Sequence, residues 1–129
     1  MDKHPLAASA LIALGAVAGA NARYWLGRWV AGVWPGAFPL ATLLINLSGS
    51  LALGGLAGWP KAQAAWGGGL ALLLGVGFLG AYTTFSTFSV ELARLLQDGR
   101  TALALGYGLA SAVGGVLAAA VGFRLAKLF

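Results

Sequence analysis

The stretch that decides the fold of this chain reads Gly77-Phe78-Leu79-Gly80-Ala81-Tyr82-Thr83-Thr84-Phe85-Ser86-Thr87-Phe88-Ser89. It places hydroxyl side chains and phenyl rings inside the third of four apolar segments. That segment, from about residue 64 to 96, would be about 50 Å long as one helix, whereas the hydrocarbon core of a bilayer is about 30 Å thick. We therefore expect the third helix to be broken near residues 80–87. Backbone groups freed there need protein, an ion or an aqueous path as partners.

The composition indicates a polytopic membrane protein. Of the 129 residues, 60% are hydrophobic and 9% are charged, whereas a soluble domain carries roughly a quarter charged residues. Four apolar segments predict one all-α membrane domain over residues 1–129, with spans at about 6–30, 40–59, 64–96 and 101–123. Small residues at 18–20 also fit a signal-peptide cleavage site, but the helical pattern continues beyond them, so we expect the first span to be retained.

Several classes of function are excluded by the residues that the spans lack. The chain has no cysteine, which rules out thiolate metal sites and thiol redox chemistry. No nucleotide-binding, zinc or nucleophile motif occurs, and His4 stands alone near the terminus. The net charge of +5 is spread over loops and ends, so we expect neither a nucleic-acid partner nor an enzyme.

Glycines at helical spacing predict close helix packing. Gly15 and Gly19 lie four residues apart in segment one, as do Gly54 and Gly58 in segment two. Such pairs allow the backbones of two membrane helices to approach each other. We therefore expect both faces to contact other helices.

Polar residues form stripes on two of the spans. Thr42, Asn46 and Ser50 recur every four residues and so share one face of segment two. Asn46, near the middle, either hydrogen-bonds across a helix interface or donates to an ion in a pore. Segment four shows Tyr107 and Ser111 at the same spacing, and then Gly114-Gly115.

Two charged residues near the ends of spans each have two interpretations. Arg23 either anchors segment one at the interface, beside Tyr24 and Trp25, or forms a cationic pore mouth that attracts anions. Glu91 either makes a surface ion pair with Arg94 at i, i+3 or has a functional role.

The cations do not choose an orientation in the membrane. The N-terminus, second loop and C-terminus carry four of them, and the first and third loops carry three, or four if Arg23 is counted. The positive-inside rule therefore gives almost no bias. A small four-span protein without bias is expected to insert both ways and to pair as an antiparallel dual-topology dimer, with a two-fold axis in the membrane plane.

The polar groups of the broken region suit an anion. Asn amide N–H groups, hydroxyls and phenyl ring edges all present positive dipole ends. Phe85 and Phe88, at i, i+3, could hold a dehydrated anion edgewise or could simply pack. Carbonyls released near Gly80 and Thr83 have the opposite polarity, so two breaks that meet at a dimer axis could share a cation such as Na⁺.

Three motifs carry a resemblance to a known family: Gly80-Ala-Tyr-Thr-Thr-Phe-Ser-Thr-Phe88, Leu44-Ile-Asn-Leu-Ser-Gly49 and Gly19-Ala-Asn-Ala-Arg-Tyr24. In these motifs, and in length and number of spans, the chain resembles the CrcB/Fluc family of fluoride channels. The resemblance implies an antiparallel homodimer in the bacterial plasma membrane with two fluoride pores. It also implies a central Na⁺ held by the backbone carbonyls of Gly80 and Thr83.

The resemblance assigns roles to further residues. Phe85 and Phe88 would be the paired aromatics of the pores, with Asn46 as the donor beside them. The residues expected along a polar track are Ser86, Thr87, Tyr107 and Ser111. The resemblance implies that this track continues at Gly114-Gly115, where water or backbone would have to replace a hydroxyl. Arg23 and Glu91 would lie at or near the aqueous vestibules.

The implied function is passive export of fluoride, driven by the inside-negative membrane potential and lowering cellular fluoride toxicity. The main alternative is a small four-span dual-topology multidrug exporter coupled to protons. That mechanism needs a buried carboxylate in the first helix, and segment one has none after Asp2. A third interpretation is a membrane assembly protein that transports nothing.

Overall fold

The computed structural model describes residues 5–60 and 68–128. The predicted start of the third span near residue 64 lies outside this range, as do Lys3, His4 and Lys61. In the described part, the helices are α1 (Pro5–Val33), α2 (Leu40–Gly58), α3 (Ala71–Leu79), α4 (Gly80–Tyr82), α5 (Phe85–Gln97) and α6 (Thr101–Ala126).

Four helical segments are long and apolar enough to cross a membrane. They are Pro5–Val33, Leu40–Gly58, Ala71–Gln97 and Thr101–Ala126. The prediction of an all-α protein with four candidate spans is confirmed. The first helix extends past its expected end near Val30 and reaches the loop that contains Pro35 and Pro39.

The third segment is irregular in two places. Its first part, α3, is wound as a π-helix, a form that is rare and usually limited to single turns. After the short α4, Thr83 and Thr84 have extended backbones, with ψ of 158° and φ of −150° respectively. Helical hydrogen bonding resumes at Phe85. Two residues within the hydroxyl-rich stretch are therefore extended and not helical.

A glycine turn separates α5 from α6. Gly99 has a φ of 73°, a left-handed conformation that glycine adopts without strain because it has no Cβ. The N–H of Arg100 donates to the carbonyl of Leu95 at 2.9 Å, and that of Asp98 donates to Arg94 at 2.9 Å. These bonds satisfy carbonyls at the end of α5 and return the chain into α6.

The helices pack as two pairs, α1 with α3 and α4, and α2 with α6. In the first pair, Gly15 and Gly19 lie against the backbone carbonyls of Leu73 and Phe78. A Cβ at either glycine would collide with a carbonyl oxygen. The predicted close-packing face of segment one is therefore an interface with the third segment.

The second pair is joined by glycines from both helices. Gly54 of α2 lies against the carbonyl of Ala119, and Gly122 of α6 lies against the carbonyl of Leu51. Gly58 packs in the same way on Phe123. Because backbone touches backbone, the separation of α2 and α6 leaves no room for even a methyl group at these points.

We predict that Gly54→Ala destabilises the protein, whereas Gly106→Ala does not. A methyl group at 54 would overlap the Ala119 carbonyl, and overpacking of this kind costs about 1–3 kcal/mol. A Cβ at Gly106 meets nothing within 4 Å, so alanine there should be neutral or stabilising by up to about 1 kcal/mol. Unfolding in mixed micelles, followed by circular dichroism, measures both, and equal stabilities would contradict this packing.

Candidate functional site

Asn46 joins the middle of α2 to the extended pair of the third segment. Its Nδ2 donates to the carbonyl of Thr84 at 3.0 Å, and its Oδ1 accepts from the N–H of Thr84 at 2.8 Å. Thr84 is buried, with 8% of its surface exposed. Of the two roles left open for Asn46, the structure shows cross-helix hydrogen bonding, and donation to an ion stays a prediction. One N–H of the amide is used by Thr84, which leaves the other available.

Thr84 also caps helix α5. Its Oγ1 accepts from the N–H of Thr87 at 3.2 Å and donates to Thr87 Oγ1 at 3.0 Å. Ser86 Oγ lies 3.4 Å away. A threonine hydroxyl that satisfies the N–H three residues on is a common helix start. Ser86 and Thr87, expected along a polar track, are exposed here and group around this cap.

These two arrangements take hydrogen-bond donors away from Gly80 and Thr83. In a regular helix their carbonyls would accept from the N–H groups of residues 84 and 87. The N–H of Thr84 goes instead to Asn46, and that of Thr87 goes to a side chain. Within the described part of the chain, both carbonyls therefore lack their helical donors.

A groove of about 340 Å³ lies beside the extended pair, between α2, α5 and α6. It brings together four residues that the sequence singled out as pore residues: Asn46, Phe85, Phe88 and Ser111. The Phe85 side chain is 79% exposed, and its ring centroid lies 5.8 Å from that of Phe88. None of the described residues that line the groove is charged.

Ser111 contributes a hydroxyl without a partner. Its Oγ is buried and, among the described residues, has no hydrogen-bond partner. A buried hydroxyl left unpaired costs about 1–3 kcal/mol. Unpaired groups of this kind in a native structure call for an explanation such as an unseen ion or water.

Glu91 lies half-buried between three helices. Its Oε1 accepts from Thr42 Oγ1 of α2 at 2.8 Å, and its Oε2 accepts from the Tyr107 hydroxyl of α6 at 2.8 Å. Both carboxylate oxygens are thus engaged by hydroxyls and not by Arg94. The spacing of polar residues in the sequence did not reveal this cluster, because the cluster joins distant segments. Only Thr42 was visible, in the polar stripe of segment two.

Tyr107 does not line the groove. It is fully buried, with 0% of its surface exposed, and its ring centroid lies 5.1 Å from Phe88 and 5.5 Å from Phe38. It therefore supports the Phe88 ring from behind while it holds Glu91.

A polar cavity of about 370 Å³ opens where α5 ends and α6 begins, beside the loop between α1 and α2. Its charged lining residues are Glu91, Arg94, Asp98 and Arg100. Arg23 is half-buried on α1 and lines neither this cavity nor the groove. In the described residues, no group of three His, Cys, Asp or Glu side chains could hold a metal ion.

The structure has four apolar helical segments that are long enough to cross a membrane. Polar side chains within these segments hydrogen-bond to other segments. These features define a multi-pass membrane protein. The family model described as "CrcB-like protein, Camphor Resistance (CrcB)" matches residues 10–123, and the chain belongs to this family.

Relatives from several bacteria agree with this assignment. The "Fluoride-specific ion channel FluC 1" of Moorella thermoacetica is 46% identical over 117 residues, which is 91% of this chain and 84% of the relative. The "Fluoride-specific ion channel FluC" of Gloeobacter violaceus is 45% identical and covers 92% of this chain and 95% of its own length. The protein of the same name from Pseudomonas fluorescens is 43% identical, with 91% and 94% covered.

We predict that Asn46→Ala destabilises the protein by about 3 kcal/mol. The variant leaves the buried N–H and carbonyl of Thr84 without partners, at about 1–3 kcal/mol for each. Ser48→Ala is the matched control on the same helix, because it removes a 2.9 Å hydrogen bond to the Tyr82 hydroxyl and a 3.1 Å hydrogen bond to the Ile45 carbonyl, and neither involves the extended pair. Chemical unfolding in micelles measures both. A loss no greater than that of the control would show that the Asn46 bonds do not hold the extended pair.

Proposed function

We propose that this chain forms a fluoride-selective channel through which fluoride leaves the cytoplasm passively. One observation carries the proposal: the groove gathers an asparagine amide, two phenyl rings and a buried, unpartnered hydroxyl beside the extended pair. The names of relatives that are 43–46% identical over most of the chain support the choice of ion.

The donors of the groove suit a small anion that has lost its water. The spare N–H of Asn46, the hydroxyl of Ser111 and the edges of Phe85 and Phe88 each present a positive dipole end. A pore must bind its ion well enough to replace the hydration shell but weakly enough to release it. Uncharged donors meet both demands, since a lysine or arginine at the same place would hold fluoride too strongly.

The channel works as an antiparallel, dual-topology homodimer in this proposal. Phe85 is 79% exposed in a single copy, so a second copy is needed to enclose the groove on that side. The balanced cations of the loops permit insertion in both orientations. A two-fold axis in the membrane plane then gives two equivalent pores, with residues 1–129 of each copy acting as one membrane domain.

A structural Na⁺ fits the carbonyls of Gly80 and Thr83. Hard cations prefer oxygen ligands, and both carbonyls are deprived of helical donors by Asn46 and the α5 cap. Two copies related by the axis would supply two carbonyls each. When bound, the ion would supply a positive charge that holds the two interrupted helices together.

The remaining predicted residues belong to the approaches. The polar cavity that contains Glu91 serves as a vestibule, in which Arg94 and Arg100 offer cationic groups to an entering anion. Arg23 lies at or near the aqueous vestibule at the opposite end of the pore. Ser86, Thr87 and Tyr107 border the track, with Tyr107 acting through Phe88 and Glu91.

The driving force needs no coupled reaction. The membrane potential provides about 2.3 kcal/mol per charge per 100 mV, and none of the described residues that line the groove could act as a proton relay. A proton-coupled drug exporter would need a buried carboxylate in the first helix, and α1 contains no Asp or Glu. The proposed site is the plasma membrane of a bacterium.

We expect purified wild-type protein in liposomes loaded with potassium fluoride to release fluoride rapidly once valinomycin is added. Valinomycin lets potassium leave as well, so the charge carried out by fluoride is balanced. A fluoride electrode measures the efflux, and protein-free liposomes give the background. Proton-driven exchange of a cationic drug without fluoride efflux would favour the exporter. Absence of both would favour an assembly protein.

We predict that Phe85→Ile lowers fluoride efflux to the background of empty vesicles while the protein remains dimeric on size-exclusion chromatography. Isoleucine keeps apolar bulk but removes the ring edge that carries positive charge. Phe78→Ile is the control, because Phe78 does not line the groove. Equal efflux from the two variants would exclude an ion-contacting role for the Phe85 ring.

A further inference from the structure

Ser50 lies where two cavities adjoin. It lines the groove together with Asn46 and Ser111, and it also lines a separate, open cavity of about 420 Å³ along the surface that α2 and α6 share. The other residues of that second cavity are Leu53, Gly54, Ala57, Ala119, Ala120 and Phe123. Among these described lining residues, Ser50 alone has a polar side chain.

The second cavity continues the groove along the helices. The groove starts one turn beyond Thr42 and the Glu91 cluster, and the second cavity ends at Phe123 near the end of α6. The ammonium of Lys127 lies 4.8 Å from the centroid of the Phe123 ring. An anion that moves along α2 away from Glu91 would therefore pass Ser50 and approach a cation.

The Ser50 hydroxyl is free to bind such an anion. Serines in helices often donate to a carbonyl of the preceding turn, as Ser48 does to Ile45 at 3.1 Å and Ser89 does to Phe85 at 2.9 Å. Ser50 and Ser111 make no such bond among the described residues. Both line the groove, so its two serine hydroxyls are the ones without internal partners.

Ser50 also faces a gap in the opposite helix. Ser111 and Gly115 lie one turn apart on α6, as Asn46 and Ser50 do on α2. A Cβ at Gly115 would lie 3.7 Å from Ser50 Oγ, an ordinary contact distance, with no other atom closer than 4 Å. Along α6, the hydroxyl of Ser111 is therefore followed one turn later by Gly115. At that level the hydroxyl is supplied by Ser50 of α2.

We propose that Ser50 is a further ligand of the anion in transit, and that it takes over from Ser111 at the level of Gly115. This inference rests on the proposed fluoride channel and adds a residue to its pathway. The hydroxyl of α2 replaces the water or backbone that the Gly114-Gly115 pair was expected to require. The ion leaves the amide of Asn46, passes between two serines and enters the second cavity.

The test compares fluoride efflux from liposomes that contain the wild type, Ser50→Ala, Ser50→Thr or Ser50→Val. Losing one hydrogen bond to a charged group is expected to slow passage about tenfold. Threonine and valine have the same shape, but only threonine keeps a hydroxyl, so Ser50→Thr should conduct about tenfold faster than Ser50→Val. This pair gives a reading that does not depend on how Ser50→Ala folds.

A second pair of variants tests whether the hydroxyl can be moved to the other helix. Ser50→Ala combined with Gly115→Ser should recover most of the wild-type rate, because the new hydroxyl lies beside the vacated position. Ser50→Ala combined with Gly115→Ala adds the same backbone change without a hydroxyl and should remain slow. Size-exclusion chromatography and the unfolding midpoint confirm that all variants are folded to the same extent.

The outcomes separate this inference from the channel itself. If the wild type releases no fluoride, the proposed function fails. If the wild type conducts and Ser50→Ala and Ser50→Val conduct equally well, the channel stands and the role of Ser50 is overturned. Slow efflux from Ser50→Ala that Gly115→Ser and Gly115→Ala restore equally would show that Ser50 only fills space, which also overturns the inference.

Discussion

The pairing of the Asn46 amide with both backbone groups of Thr84 is the constraint on which the rest of the site depends. A membrane helix can be interrupted only if its freed backbone groups find other partners. Asn46 meets this need for Thr84 and, in doing so, removes the donor that Gly80 would have used. One side chain therefore both supports the interruption and leaves the Gly80 carbonyl without its helical donor. The Thr84 hydroxyl repeats this effect one turn later at Thr83.

The glycine contacts fix where that pairing can occur. Asn46 is held at the right height only if α2 keeps its place, and α2 is bound to α6 by backbone contacts at Gly54 and Gly122. The same contacts bring Ser50 opposite Gly115 and Ser111 beside Phe88. Because close-packed backbones have no flexible side chains to absorb movement, the width of the groove is set by helix packing and not by the residues that line it.

The sequence was informative about the number of spans, since span length follows from bilayer thickness. It also named Asn46 and Ser111, because polar groups are conspicuous in an apolar helix. Phe85 and Phe88 were indicated by their i, i+3 spacing and by the family resemblance, and the structure brings all four residues to one groove. It could not show which partner each polar group chooses. The Thr42–Glu91–Tyr107 cluster joins three segments far apart in the chain, and the π-winding of α3 has no sequence signal that distinguishes it from an α-helix. Those features depend on tertiary packing.

The hydrogen-bond donors that have no partner within the protein are the ones left to contact an ion. A hydroxyl has one proton to give, and those of Thr42 and Tyr107 are both donated to Glu91. Tyr107 would have to release the carboxylate before it could face an anion, and the carboxylate would then be exposed as a repelling charge. The groove avoids this conflict, because its donors have no hydrogen-bond partner among the described residues. These donors are the second N–H of Asn46, the hydroxyls of Ser50 and Ser111 and the ring edges. Among the described residues of this site, the donors without internal partners therefore lie in the groove, whereas the hydroxyls of Thr42 and Tyr107 are engaged by Glu91.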